Sequence, residues 1–459
     1  MFSRFKPPAS HSAGTAAPVR DELSVLLRLA APVVISRIGI MTMGLSDALV
    51  VGRYSPVQLG FHALGWAPTA AVLTAAVGLL TGVPVMTSQV IGAGRRDLAG
   101  AVLRRGVVYA FQLSVLAAGA LWLLGPIFLH GIGLQPYLAE GASRVLAVFC
   151  LSLPISIVSV AMSLWLEAMS KPAPAMTMMW LANGVNLAID LVLVPGRFGA
   201  PALGAIGGAC ATLGARTALL VGLAAYIALM PEARSLGVFA RPRPDRPAEA
   251  EQRRIGFGGG ASNLFEVSAF SSMTFIAGAV GALPLAAYTV ALNILSLIFM
   301  VPLGLSTAIG IRVGTFYGAR DRVGVNRAAL VGLGVATGFA VSAALVVGVF
   351  APTIASGYTR VGDVIEMASR ALRLACLFVI PDALQVVAAQ SLRSRGDVLV
   401  PSLTHLVSYA LVMAPLAWLL ALPLHHGVQG MIMATLLASL LSAALLLGRF
   451  GQLAGRSVG

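Results

Sequence analysis

The fold is decided by residues 78–106, GLLTGVPVMTSQVIGAGRRDLAGAVLRRG, which align without a gap on residues 304–332, GLSTAIGIRVGTFYGARDRVGVNRAALVG. Seven of the 29 aligned positions are identical, at an offset of 226 residues. The same offset pairs Leu166 with Leu392. A repeat that recurs along the chain in this way predicts an internal duplication, in which each half forms one unit of the fold.

The composition excludes a soluble globular protein. Of the 459 residues, 58% are hydrophobic and only 10% are charged, and the mean hydropathy is +0.90. Such a chain is typical of a polytopic membrane protein. Apolar windows of about 19 residues or more predict twelve helices, at approximately residues 24–51, 62–90, 102–127, 140–168, 173–195, 201–230, 255–282, 284–315, 327–352, 365–393, 398–421 and 427–449.

The repeat and the helix count together predict the architecture. Each half has an even number of helices, so both halves enter the membrane from the same side. We expect an all-α polytopic protein with two six-helix lobes related by a pseudo-two-fold axis along the membrane normal. The predicted parts are an amino-terminal tail (1–22), an N-lobe (23–230), a linker (231–254), a C-lobe (255–449) and a carboxy-terminal tail (450–459).

The basic residues predict the orientation. The net charge is +14, and with both termini on one side, 23 of the 31 lysines and arginines fall on that side. The positive-inside rule then places both termini and the linker in the cytoplasm. Because the charge follows the topology rather than forming a patch, we expect the lipid bilayer as a partner and no nucleic acid.

Four carboxylates indicate where function lies, because Asp47, Asp190, Glu266 and Asp382 fall inside predicted helices. An ionised side chain at the bilayer centre costs at least ~3 kcal/mol, so such a group is protonated, binds a cation or faces a wet cavity. The four acids do not follow the repeat, so each lobe has its own polar residues. A purely structural pairing with an arginine or asparagine of the same lobe stays open.

One predicted helix carries a polar stripe. Asn183, Asn186 and Asp190 recur at spacings of three and four residues, which stacks them on one face. Carboxylate and amide oxygens suit Na⁺, K⁺ or hydronium and do not suit a transition metal. The alternative is a hydrogen-bonded stripe that joins helices. The six histidines form no ligand set that the sequence makes evident.

Two prolines and several soft or polar side chains are further candidates. Pro32 and Pro381 remove backbone donors inside predicted helices, so we expect bending at the first and a freed carbonyl near Asp382 at the second. Met and Phe side chains adapt to varied ligands. Their alternative is contact with lipid or core. The candidate substrate-cavity residues are Asn183, Met273, Asn293 and Phe299.

Three motifs resemble one known family. Residues 43–52, MGLSDALVVG, look like the first-helix signature of the multidrug and toxic compound extrusion (MATE) family. Residues 290–293, VALN, and 382–389, DALQVVAA, resemble its NorM-type branch. The resemblance spans all twelve predicted helices. Several NorM-type proteins carry Tyr where this chain has Phe378, which favours the N-lobe as the place where the coupling ion acts.

The resemblance implies a secondary antiporter. It would export bulky, cationic and amphipathic drugs or toxic compounds while H⁺ or Na⁺ moves inward, by alternating access of the two lobes. The implied protein is a monomer of the bacterial inner membrane, is not an enzyme and has no cofactor. The implied cation or proton sites are Asp47, Asn186, Asp190 and Thr212 in the N-lobe and Glu266 and Asp382 in the C-lobe, with Pro32 as the bending residue.

Two alternatives remain. A lipid-linked oligosaccharide flippase of the same broad scaffold would need a large basic cavity for pyrophosphate, whereas the predicted helix interiors offer acids. An intramembrane enzyme would need a metal or nucleophile motif, and the sequence contains no HExxH and no GxSxG. A phosphate loop of the GxxxxGK[ST] type is absent as well, which disfavours an ATP-driven pump.

Overall fold

The computed structural model describes residues 19–131, 134–241 and 244–455. The remaining residues, in the two tails, in the linker and at positions 132 and 133, lie outside the described part, so what the sequence predicts for them stays a prediction. The described helices are α1 (Val19–Tyr54), α2 (Pro56–Leu79), α3 (Gly82–Gly92), α4 (Ala99–Gly131), α5 (Pro136–Ala168), α6 (Pro172–Leu193), α7 (Ala205–Leu229), α8 (Arg246–Val280), α9 (Ala282–Gly318), α10 (Arg322–Tyr358), α11 (Gly362–Ser394), α12 (Leu399–His405), α13 (Ala414–Ala421) and α14 (Gly427–Ala454), with a 3₁₀ turn at Arg96–Leu98 and a π-helix at Leu406–Met413.

The twelve predicted spans are confirmed. In the described residues, twelve helical segments are long and apolar enough to cross a membrane. Three of them are composite: α2 and α3 form the second span, the 3₁₀ turn and α4 form the third, and α12, the π-helix and α13 form the eleventh. The N-lobe comprises α1–α7 and the C-lobe α8–α14. Each lobe has buried cores of aliphatic and aromatic side chains of its own, and one further core joins Leu26, Leu29 and Ala30 of α1 to the C-lobe.

Several predicted helix ends are wrong, because helix continues beyond the apolar windows. The first helix begins at Val19 and the last ends at Ala454, both inside predicted tails. Within the predicted linker, α8 begins at Arg246, where Pro247 follows and Asp245 Oδ1 accepts from the backbone N–H of Ala248 at 3.2 Å. Proline in the first turn and a capping carboxylate both start helices regardless of hydropathy.

The closest contacts between the lobes lie on the side of the bundle that carries Val19 and Ala454, which we call the terminal side. There α3 and α9 cross so closely that a methyl group on Gly92 would overlap the carbonyl of Thr315. A methyl group on Gly318 would likewise overlap the carbonyl of Gln89. Gly318 and Thr315 lie 226 residues after Gly92 and Gln89, so the repeat relates each contact to the other. The predicted pseudo-two-fold axis is therefore confirmed and passes through this crossing.

A second pair of contacts obeys the same axis. Gly78 of α2 packs on the backbone of Gly260 in α8, and Gly304 of α9 packs on the backbone of Val34 in α1. Each residue of the second pair is related to one of the first by the 226-residue offset. Only glycine permits backbones to approach this closely. The terminal side is therefore closed by main chain packed on main chain.

One ion pair across the lobes does not follow the repeat. Arg312 of α9 donates to both oxygens of Glu22 in α1, from Nε at 2.8 Å and from Nη2 at 2.7 Å. Glu22 is only 3% exposed. The offset would place Ala248 and Met86 at the equivalent positions. This bidentate ion pair therefore adds an asymmetric polar contact to the otherwise symmetric packing of the two lobes on the terminal side.

Away from the terminal side, the lobes diverge. Asn263 Nδ2 of α8 donates to the carbonyl of Thr74 in α2 at 3.3 Å. Beyond it lies a cavity of about 370 Å³ between the two helices, lined by residues that include Ala71, Val267 and Ser271. The protein thus has a cleft between its lobes that is closed on the terminal side and open on the opposite side.

Candidate carboxylate sites in the two lobes

The N-lobe site forms where α1, α6 and α7 meet. Thr212 Oγ1 donates a 2.7 Å hydrogen bond to Asp47 Oδ2, and Asp190 lies within hydrogen-bonding reach of Asp47. Asp47 is 3% exposed and Asp190 is fully buried. Among the described residues, Asp47 Oδ1 and both carboxylate oxygens of Asp190 have no hydrogen-bond donor. Two close acids with undonated oxygens need a proton or cation between them.

The polar stripe of α6 divides between two roles. Ser46 Oγ, beside Asp47, donates to Asn186 Oδ1 at 3.2 Å, which brings Asn186 into the site with Asp190. Asn183 Nδ2 instead donates to the carbonyl of Met179 in its own helix at 2.9 Å. The structure therefore brings Asp47, Asn186, Asp190 and Thr212 together, whereas Asn183 lies one turn away.

Sequence reasoning missed two basic residues in this lobe. Arg216, 9% exposed, donates to Ser152 Oγ at 2.8 Å, stacks 5.1 Å from the ring of Trp66 and lies within electrostatic range of Asp47. His62 Nε2 is 4.0 Å from Asp47 Oδ2. The helix interiors of this lobe therefore hold basic residues as well as the predicted acids. A buried arginine in an apolar helix was a signal that could have been used.

The C-lobe site lies among α8, α11 and α12. Asp382 is buried and accepts from Gln385 Nε2 at 3.3 Å, whereas the side chain of Glu266 is 18% exposed. His405 Nδ1 lies 3.8 Å from Glu266 Oε2. Arg393, 7% exposed, lies within electrostatic range of Glu266. The structure thus brings the two predicted acids into one region and adds a histidine and an arginine.

A π-helix borders this site. It begins directly after His405 and contains Tyr409, which is fully buried and meets the His405 ring edge-on, with 5.4 Å between ring centroids. Tyr409 lies within electrostatic range of both acids. It therefore brings a phenol into the region where Phe378 lacks one. Short π-helical segments occur frequently at functional sites, and the sequence carried no signal for this one.

The remaining candidates have mixed placements. Met273 is fully buried in the C-lobe core with Tyr409 and Met413, so it does not line the cleft in this conformation. Phe299 packs half-buried on the C-lobe core, and Asn293 is exposed on α9. Pro32 and Pro381 both lie inside continuous helices, α1 and α11.

Each of the two sites therefore contains two acids, one arginine and one histidine. None of the four C-lobe residues occupies the position that the 226-residue offset assigns to an N-lobe counterpart. When the acids are ionised and the histidine is neutral, each set carries one net negative charge. A single proton or monovalent cation would neutralise each set.

Twelve spans, two related lobes and buried carboxylates define a two-lobed polytopic membrane protein of the kind that transports solutes. The family model described as MatE matches residues 32–192 and 260–419, so the chain belongs to the MATE family. It is similar to "Probable multidrug resistance protein NorM" of Caulobacter vibrioides, 53% identical over 436 residues and covering 95% of this chain and 93% of that one. A protein of the same name from Pseudomonas putida is 32% identical, covering 89% and 90%.

Solved structures share the fold. One, described as the outward-facing conformation of a multidrug resistance MATE transporter, superposes with a TM-score of 0.87 at 20% identity, covering 97% of this chain and all of that chain (100%). A eukaryotic MATE transporter superposes with a TM-score of 0.84 at 19% identity, covering 95% and 96%. Both likenesses support the two-lobe architecture.

Proposed function

We propose that this protein is a multidrug exporter that exchanges cationic amphipathic compounds for inward-moving H⁺ or Na⁺. The observation that carries the proposal is the Asp47–Asp190 pair, buried with three carboxylate oxygens that no described residue donates to. Burying two acids in this way is costly unless a proton or cation is bound. The multidrug resistance relatives support a small organic compound as the exported partner.

The N-lobe acids are the proposed coupling site. The two sites have the same formal charge, but Asp47 and Asp190 are 3% and 0% exposed, whereas Asp382 is 7% exposed and the side chain of Glu266 is 18% exposed. A drier site discriminates more strongly between its charged and neutral forms. Glu266 and Asp382 then serve as a second cation site or as a recognition site for a cationic substrate.

Helix α1 is the proposed mechanical link. It carries Glu22 in its first turn, Val34 near its middle and Asp47 towards its other end. Glu22 and Val34 contact Arg312 and Gly304 of the C-lobe. A change at the acid is thus connected through one helix to the lobe closure. Pro32, between Asp47 and Glu22, lacks an N–H donor and lowers the cost of bending there. Neutralising the acids would bend α1 and loosen the terminal side.

Orientation and energetics fit alternating access. The positive-inside rule places the terminal side in the cytoplasm, so the described conformation is open to the outside of a bacterial inner membrane. One monovalent cation moving inward through ~100 mV supplies ~2.3 kcal/mol, enough for roughly a 50-fold gradient of a neutral substrate. Export of a monovalent cation in a one-for-one exchange moves no net charge, so the chemical gradient of the coupling ion would have to drive it. Since one chain contains both lobes and the cleft between them, we propose that it acts as a monomer.

The buried arginines do not turn the cleft into an anion site. Arg216 lies near Asp47 and Arg393 lies near Glu266, so each guanidinium has an acid of its own lobe to balance it. A pyrophosphate cavity would need uncompensated positive charge. We therefore prefer drug export to lipid-linked oligosaccharide flipping.

Reconstitution in liposomes tests the proposal. Efflux of a fluorescent cationic dye is measured with a proton gradient alone and with a sodium gradient alone, for wild type, Asp47→Asn and the exposed Asp97→Asn as a matched control. We expect one of the two gradients to drive dye efflux by wild type and by Asp97→Asn, and neither gradient to drive dye efflux by Asp47→Asn. Failure of both gradients in wild type, or full transport by Asp47→Asn, would contradict the proposal.

A further inference from the structure

A second cavity, outside both carboxylate sites, lies on the terminal side of the protein. It measures about 630 Å³ and is lined by the first turns of α4, the last turns of α7, the segment after α7 and the start of α8. Three arginines line it, Arg104, Arg105 and Arg253, against one acid, Glu249. Neither the proposed transport mechanism nor the lobe closure uses these residues.

The arginines are positioned by their surroundings. Arg104 Nη1 donates to the carbonyls of Gly237 and Val238, the latter at 2.9 Å. Arg105 Nε donates to Gln252 Oε1 at 3.2 Å. Both guanidinium groups are held through part of their donors, so a fixed pair of cations faces the cavity. Asp245 Oδ2, 3.8 Å from Arg105 Nη1, offsets part of this charge.

The third arginine completes the basic wall from the other lobe. Arg253 of α8 is exposed and lies over the ring of Tyr109 in α4, with 5.7 Å from its guanidinium carbon to the ring centroid. Stacking on an aromatic face orients a guanidinium while its edge remains open to an anion. With Glu249 subtracted, the lining carries two net positive charges. Guanidinium groups in such an arrangement match phosphate oxygens.

The other wall is apolar and continues onto the lipid-facing surface. Leu103, Val107 and Met162 line the cavity together with Phe239, which is 60% exposed. Further along α4, the exposed apolar residues Val108 and Phe111 extend this surface towards the middle of the span. A basic pocket at a helix end beside an apolar groove is complementary to an amphiphile with an anionic head group.

We propose that this cavity binds an anionic phospholipid, with its phosphate on Arg104, Arg105 and Arg253 and an acyl chain along α4. The cavity is built from both lobes on the side where they close, so the bound lipid would favour the closed terminal side. The assignment to the cytoplasmic leaflet rests on the orientation under the proposed function. The binding itself does not depend on transport.

Lipid binding to the purified full-length protein tests the inference. Phosphatidylglycerol and phosphatidylcholine are titrated separately in detergent and bound lipid is counted by native mass spectrometry, for wild type, Arg253→Gln and the exposed Arg234→Gln as a matched control. Losing one charged donor costs enough to weaken binding roughly tenfold. We expect wild type and Arg234→Gln to prefer phosphatidylglycerol and Arg253→Gln to lose most of that preference.

A competition arm separates the two sources of phosphate. Inorganic phosphate is added to the phosphatidylglycerol titration at a millimolar concentration equal to that of the lipid phosphate. Displacement of the lipid under this condition would assign the cavity to a free anion instead. Equal binding of the two lipids by wild type, or an unchanged preference in Arg253→Gln, would overturn the inference. Because binding is counted without a gradient, a failed dye-transport experiment leaves this result intact.

Discussion

Thr212 Oγ1 donates a 2.7 Å hydrogen bond to Asp47 Oδ2 and so joins α7 to α1 at the buried carboxylate pair of the N-lobe. Thr212→Val removes the hydroxyl at nearly constant volume, and a hydrogen bond to a charged group contributes roughly 1.5–3 kcal/mol. Because this bond stabilises the ion-free, charged carboxylate, we expect the coupling ion to bind about tenfold more tightly in Thr212→Val. The half-saturating ion concentration of dye transport measures this.

The matched variant for this bond is Thr212→Ser, which keeps the hydroxyl. Its transport should stay close to that of wild type if the bond is what matters. An equal shift in the two variants would contradict a role for the hydroxyl, because Thr212→Ser keeps it.

Adding a methyl group at Gly92 should open the terminal side. In Gly92→Ala the new carbon would overlap the carbonyl of Thr315, and overpacking of this kind costs about 1–3 kcal/mol. The ratio of separated to closed lobes should rise about fivefold or more. Spin labels at the exposed positions Ala93 and Ala319, in a background without the native cysteines, report the distance between the lobes.

Gly119→Ala is the control for that experiment, because nothing lies within 4 Å of the added carbon. By the pseudo-two-fold axis, Gly318→Ala should act like Gly92→Ala. Unchanged label distances in both glycine variants would show that the described contact is not what holds the lobes together.

Breaking the Glu22–Arg312 pair should also raise the ratio of separated to closed lobes. In Glu22→Gln the guanidinium of Arg312, with a side chain 19% exposed, loses its carboxylate, which should cost on the order of 1–3 kcal/mol of the closed state. The same spin labels should report more separated lobes. The double variant with Glu22→Arg and Arg312→Glu should recover part of the closed population. A double-mutant cycle that shows no coupling energy between Glu22 and Arg312 would refute the stabilising role of this ion pair.

Arg393 should act as a resident cation of the C-lobe. In Arg393→Gln, Glu266 and Asp382 lose the nearby positive charge, so the pair should depend on an added cation. We expect Na⁺ to raise the melting temperature of this variant more than that of wild type. The exposed Arg373→Gln, on the same helix, controls for lost surface charge, and equal Na⁺ responses in all three proteins would contradict the idea.

The sequence predicted the spans well, because hydropathy reports directly which segments can lie in a bilayer. It did not predict the helix starts at Val19 and Arg246, since a helix held by its backbone and caps does not end where the apolar surface ends. The repeat predicted the axis, and the glycine contacts at Gly92 and Gly318 confirm it.

The site was predicted only in part. Asp47, Asp190, Glu266 and Asp382 stood out because a charge in an apolar helix is rare. His405 could not be assigned to Glu266, because the two are 139 residues apart in sequence and meet only through the packing of α8 against α12. A single histidine in an apolar segment is not an equally strong indication of a functional site. Histidine partners of the acids can therefore be assigned only from the tertiary structure.

The matched charge sets of the two lobes have a consequence for stoichiometry. Each carboxylate site holds two acids against one arginine, so each site is neutralised by one monovalent cation. If both must be neutralised in every cycle, two charges enter per turnover, and ~100 mV would then contribute ~4.6 kcal/mol instead of ~2.3. Export of a monovalent cation would then carry one net charge inward, and the current per exported molecule would count how many lobes take part.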